Sequence, residues 1–70
     1  MLKHGLRQEV AGNIKQLRKA AKLTQENAAD HAGFHYKYFQ KIESGSVNLT
    51  LDSIERIAKV FGVSPKKFFK

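Results

Sequence analysis

Gly33 is the residue that most restricts what this chain can become, because it stands as a tight turn between two short helical runs, Leu23–Ala32 and Phe34–Gly45. Before it, Thr24 is placed to cap a helix, since its hydroxyl can take a free backbone N–H of the opening turn. That helix begins after Thr24 and ends near His31. Ala28, Ala29 and Ala32 are small and let another helix cross closely. After the turn, Phe34 and His35 lead into a helix over about His35–Glu43, and it stops at Ser44-Gly45, where glycine suits a left-handed C-terminal position. Phe39 and Ile42 fall three apart and share one face of it. Tyr36, Lys37, Gln40 and Lys41 stand on the other. Such a helix has an apolar layer behind it and a polar, anionic partner in front.

Two short helices about one turn, with the second divided in this way, form the helix-turn-helix arrangement that presents a helix to DNA. At Leu23-Thr24-Gln25-Glu26, Ala29, Ala32-Gly33, Tyr38, Ile42-Glu43, Gly45, Ile57-Ala58 and Gly62-Val63-Ser64 the chain resembles the Cro/phage-repressor class, the XRE family. The resemblance spans about residues 10–69. It implies an all-α, five-helix, lambda-repressor-like DNA-binding domain filling residues 1–70, with the helix-turn-helix formed by the second and third helices. It also implies a transcription regulator that binds double-stranded DNA in the major groove as a homodimer on a two-fold related site. Asn48-Leu49-Thr50-Leu51, Val63 and Phe68-Phe69 further resemble the small controller proteins of restriction–modification systems. Phage repressors, antitoxins and host regulators remain open beside them.

The same resemblance distributes roles. It puts Tyr36, Lys37, Gln40 and Lys41 on the groove side. There Lys37 or Lys41 can donate to guanine O6 and N7, Gln40 can pair with adenine N6 and N7, and Tyr36 can touch a thymine methyl or a phosphate. Gln25 sits at the start of the second helix, where free N–H groups and the positive dipole end attract phosphate; in similar proteins this glutamine clamps the DNA backbone and braces the reading helix. Tyr38 lies between core and DNA backbone, as a phosphate ligand or a packing residue. His35, Ser46 and Asn48 complete the phosphate-contacting or positioning set. Arg18 and Glu43 form, in the family pattern, an ion pair tying the first helix to the end of the third. The chain also departs from that pattern. His35 replaces the serine or threonine that caps the reading helix, Ala28 stands where a leucine anchors the second helix, and bulky Phe34 follows the turn glycine. The connector Ser46–Thr50 carries no cation.

Around this pair the pattern is helical throughout. Leu6, Val10, Ile14, Leu17 and Ala21 repeat at three- and four-residue steps, an amphipathic stripe, with Lys15, Lys19 and Lys22 on an outer face. Gly12 marks either a close contact or a weakened start. Thr50 is a cap for a fourth helix with Asp52 in its first turn, and Leu51, Ile54, Ile57, Ala58 and Phe61 form its buried stripe. Gly62 closes it, and Ser64-Pro65 opens a short fifth helix. Phe68 and Phe69 point about 100° apart on a helix, so one folds into the core and the other offers a surface ring suited to a two-fold contact.

Composition narrows the function further. A 70-residue chain without cysteine has neither disulfides nor thiolate metal ligands, so an all-helical core carries it, assisted by dimerisation. The net charge of +7 suits a polyanion. Its placement is uneven: residues 1–22 hold six cations against one anion, residues 46–70 five against two, and residues 23–45 two against three. That last balance favours a rival reading, a protein-interaction module on a retained scaffold. Apolar runs are too short to span a membrane, and MLKHGLRQEV lacks a signal-peptide core, so a cytoplasmic location is expected. There is no room for a small-molecule effector domain; the chain acts alone or is an excerpt. Neither a cofactor nor a metal is expected: His31 and His35 are separated by the break at Gly33, and His4 is remote. Nor is catalysis, since Ser44, Ser46 and Ser53 lack an indicated base.

Overall fold

A computed structural model describes residues 5–69, and within them the chain runs α1 (Leu6–Ala20), α2 (Gln25–Ala32), α3 (Tyr36–Ser44), α4 (Leu51–Phe61) and a closing 3-10 helix (Pro65–Phe69). There is no strand among the described residues, and His4 lies outside them. The helix boundaries follow from local chemistry. Thr24 Oγ1 accepts the Asn27 N–H at 3.0 Å and opens α2. Thr50 Oγ1 accepts the Ser53 N–H at 3.0 Å and opens α4. Each cap satisfies one of the four N–H groups a helix leaves free at its start. Gly33 ends α2 at φ 79°, a left-handed conformation, and the Phe34 N–H then reaches back to the Ala29 carbonyl at 2.8 Å. This closure turns the chain sharply into α3. At the end of α1 the same geometry is made without glycine: Lys22 takes φ 61° and the Leu23 N–H bonds the Arg18 carbonyl at 3.2 Å.

Packing holds α3 between two neighbours. α1 packs against α3 and the 3-10 helix, and α2 against α3 and α4. Val10, Ile14, Ala28, Ala29, Phe39, Ile42, Ile54, Ile57, Ala58 and Phe68 form one core. Ala28 and Ala29 of α2 lie in it and Ala32 is buried beside them, which lets the neighbouring helices approach closely. Phe68 is the residue that folds inward. Its ring meets Phe61 edge-on at 6.2 Å, and its carbonyl accepts Asn13 Nδ2 at 2.8 Å, so α1 clamps the C-terminal turn. Phe69 is 47% exposed.

Two expectations are corrected, and one of the two readings of Gly12 is excluded. The count of five α-helices is four: the fifth element is a 3-10 helix of five residues, too short to gain from α-type bonding, with the Lys67 N–H bonded to the Ser64 carbonyl three residues back. Leu6, Ala21 and Leu51 do not belong to the buried stripes. Leu6 and Leu51 are the first residues of α1 and α4, 56% and 79% exposed, and Ala21 lies beyond α1. Periodicity selects a face, but a terminal position on that face has no facing helix. Ala11 and Ser53 are buried instead. Gly12 is exposed, and a Cβ built there meets nothing within 4 Å, so it serves no close contact.

Candidate nucleic-acid interface

α3 presents two unlike faces. Phe39, Ile42 and Glu43 are buried, while Tyr36, Lys37, Gln40 and Lys41 are exposed at steps of one, three and four residues. The exposed set therefore occupies one side of a helix about 13 Å long. Neither Lys37 nor Lys41 makes an ion pair among the described residues. Tyr36 is 42% exposed at the N-terminal end of this face. His35, also exposed, is the N-cap residue but its side chain makes no capping bond, consistent with a ring that replaces a hydroxyl.

Glu43 explains how α3 is held. Its carboxylate accepts from Arg18 Nε at 2.7 Å, Arg18 Nη2 at 3.3 Å and Gln25 Nε2 at 2.8 Å. Arg18 also donates through Nη1 to the Leu23 carbonyl at 2.7 Å. The two charged side chains are 9% and 2% exposed. One buried cluster thus joins α1, the α1–α2 turn, the first residue of α2 and the last turn of α3. The charge count along residues 23–45 is misleading for this reason: one of its three anions is Glu43, which faces inward to a cation from α1 rather than outward beside the lysines.

The other expected positioning residues lie around this face without forming one cluster. Gln25 is half-buried and tied to Glu43. Tyr38 is half-buried, with its ring 5.5 Å from Phe34 in an edge-on contact, so it packs against the turn. Ser46 and Asn48 are exposed just past the C-terminal end of α3, where Ser46 Oγ lies 2.6 Å from Ser44 Oγ. His35 marks the opposite end. One residue was absent from the sequence reading: Arg56 of α4 places its guanidinium 5.4 Å from the Phe34 ring centroid, tying the α2–α3 turn to α4. The two are far apart in sequence, and no local pattern announces the contact.

Comparison with known proteins agrees with this geometry. Residues 14–68 match the helix-turn-helix family HTH_3. The chain is 39% identical over 54 residues to the control protein C.BamHI of Bacillus amyloliquefaciens, covering 76% of this chain and 67% of that one. Its fold is similar to the restriction-modification controller protein C.AhdI from Aeromonas hydrophila, with a TM-score of 0.87 and 27% identity over 90% of this chain and 96% of the other. It is likewise similar to the wild-type restriction-modification controller protein C.Esp1396I, with a TM-score of 0.85 and 36% identity over 96% and 88% of the two chains. The chain belongs to the HTH_3 helix-turn-helix family of XRE-type, DNA-binding transcription regulators.

Proposed function

We propose that this protein reads the major groove of double-stranded DNA with α3, as a homodimer, and regulates transcription as a controller-type protein of the restriction–modification class. The observation that carries the reading is the exposed face of α3: two lysines that make no ion pair among the described residues, an amide and a phenol on one side of a helix whose other side is locked by Phe39, Ile42 and Glu43. A major groove admits one such helix. The similarity to C.BamHI and C.Esp1396I supports the controller assignment.

Gln25 fits a backbone contact. Its amide nitrogen carries two hydrogens, and Glu43 uses one. The second can donate to a phosphate at the N-terminus of α2, where the helix dipole adds attraction. Phosphate contact would then be mechanically linked to the pose of α3 through the shared carboxylate. His35 serves the N-terminal end of the reading helix, and Ser46 and Asn48 the C-terminal end. Tyr38 directs its hydroxyl edge to the DNA backbone while its ring packs on Phe34. Lysines at positions 15, 19 and 22, exposed on and just after α1, add a sequence-independent field.

Self-association fits a mixed groove of about 660 Å³ where Leu6, Val10, Leu49, Ile54 and Phe69 stand beside Arg7, Gln8 and Asn48. Leu6 and Phe69 expose 56% and 47% of their surface there. A two-fold partner would cover them and give a second α3 for the other half-site.

The test is a duplex titration across a salt series. Log affinity should fall linearly with log salt, with a slope matching several phosphate contacts per dimer. An affinity that stays flat between low and physiological salt contradicts DNA binding and favours the protein-interaction reading.

A further inference from the structure

We infer that Arg56 of α4 and Phe34 of the α2–α3 turn are positioning residues for DNA binding: together they hold the Tyr38 ring so that its hydroxyl meets the DNA backbone in one pose. The inference rests on the DNA-binding reading above and gives a task to two residues which that reading leaves without one.

Three observations carry it. First, Tyr38 sits on the border of the reading face. At about 100° per residue it lies about 40° round α3 from buried Ile42 and about 60° from exposed Lys41. Its ring is half-buried, while its hydroxyl makes no hydrogen bond among the described residues and is not buried. The phenol therefore carries an uncommitted donor at the edge of the face.

Second, a relay of side chains reaches this ring from α4. Phe34 meets Tyr38 with ring centroids 5.5 Å apart and planes at 62°, an edge-on contact. The Arg56 guanidinium stands over the same Phe34 ring at 5.4 Å, within the range where a cation is drawn to a ring face. The Phe34 backbone is already pinned by its N–H on the Ala29 carbonyl at 2.8 Å, so the ring is what Arg56 and Tyr38 fix. Third, no other contact accounts for Arg56. Among the described residues its ion pair is with Asp52, at 3.9 Å with side chains 51% and 83% exposed. A solvated pair of this kind contributes little. α4 packs chiefly against α2 and the 3-10 helix, so the relay through Phe34 gives it a hold on the flank of α3. Ordering a side chain on binding costs affinity, and a ring already held escapes that cost. The gain cannot exceed what the contact itself is worth. For an exposed cation–ring pair that is a factor of about two to five.

The experiment titrates a duplex, selected from a random pool by the wild type, with the wild type, Arg56→Met, Tyr38→Phe and the double variant, by fluorescence anisotropy over a salt series. Methionine keeps the apolar stem of Arg56 and removes the cation. Arg56 is exposed, so the variant keeps the fold; circular dichroism checks this, and Arg56→Gln repeats the measurement with a second side chain. Arg56→Met should weaken binding about two- to fivefold and leave the salt slope unchanged. Tyr38→Phe should weaken it about tenfold or more, by removing a hydrogen bond to a charged group. Adding Arg56→Met to Tyr38→Phe should then change nothing further, because the hydroxyl that the relay positions is gone. Phe34→Leu, which removes the middle of the relay, should silence the Arg56 substitution in the same way. A merely structural Arg56 would not couple to one hydroxyl. Unchanged affinity in both Arg56 variants, or an Arg56→Met loss that persists beside Tyr38→Phe, overturns the assignment while leaving DNA binding intact. So does a salt slope reduced by about one contact, which would make Arg56 itself a phosphate ligand. Absence of salt-dependent duplex binding by the wild type overturns the DNA reading and this assignment together.

Discussion

Replacing Glu43 by alanine should remove a large part of the stability of this domain, and the structure sets the size of the effect. The Glu43 carboxylate is the acceptor for two Arg18 nitrogens and for Gln25, in a site where the two charged side chains are 2% and 9% exposed. In Glu43→Ala the Arg18 guanidinium stays buried with the Leu23 carbonyl as its remaining partner. Breaking a buried pair from one side costs about 3–5 kcal/mol, because one charge is left uncompensated. A domain of this size holds only about 4–10 kcal/mol in all, so a third or more of it is lost. On heating, the midpoint should drop by more than about 12 °C. Replacing both partners together, as Arg18→Met with Glu43→Leu, leaves no orphan charge and should fall within about 2 kcal/mol of the wild type. The assay is urea unfolding followed by far-UV circular dichroism, with the double-mutant cycle built from wild type, Arg18→Met, Glu43→Leu and the double variant, and Glu43→Ala measured beside it. A loss under about 1 kcal/mol for Glu43→Ala is what a solvated surface pair gives, and it would refute the argument that this cluster fixes α3.

The remaining predictions concern the joints of the fold. Lys22 sits at φ 61° at the end of α1, where glycine carries no steric penalty, so Lys22→Gly should raise the urea midpoint by a margin equivalent to about 0.5–1 kcal/mol. Gly45→Ala should destabilise more than Gly33→Ala in the same assay, because both positions are left-handed but only a Cβ at Gly45 collides, at 2.8 Å from Gln8 Cγ and 3.3 Å from its Cα. Phe68→Ala should cost about 3–5 kcal/mol by emptying a fully buried site. Phe69→Asp should leave helical content unchanged while abolishing dimers in sedimentation equilibrium; a wild type that stays monomeric at high micromolar concentration contradicts the proposed interface.

Local rules made much of this fold readable. Gly33, Gly45 and Gly62 mark helix ends because left-handed backbone there is nearly a glycine property, and all three take positive φ. Thr24 and Thr50 could be named as caps because a hydroxyl at the start of a helical run can take a free backbone N–H of the opening turn, and both accept the expected N–H. The adjacent Phe68 and Phe69 had to diverge, though sequence left open which one turned inward; the clamp from Asn13 on the Phe68 carbonyl is a contact of distant residues. Distance in sequence is also why Arg56 on Phe34 escaped notice. Helix stripes were over-extended at Leu6, Ala21 and Leu51, since a repeat does not reveal where the neighbouring helix stops. The division of α3 into a buried and an exposed face was legible from spacing alone. The Arg18–Glu43 tie came from resemblance, and segment charge counting obscured it by scoring Glu43 as a surface anion.

The most direct test of the account follows the backbone amides of the protein by NMR while a selected operator duplex is titrated in. The largest shift changes should fall on α3 from Tyr36 to Lys41 and on the N-terminal residues of α2 around Gln25, with Ser46 and Asn48 following, while the amides of α4 shift little. Changes concentrated on α4 or around Arg56, with the exposed face of α3 unmoved, would contradict the claim that α3 is the reading helix.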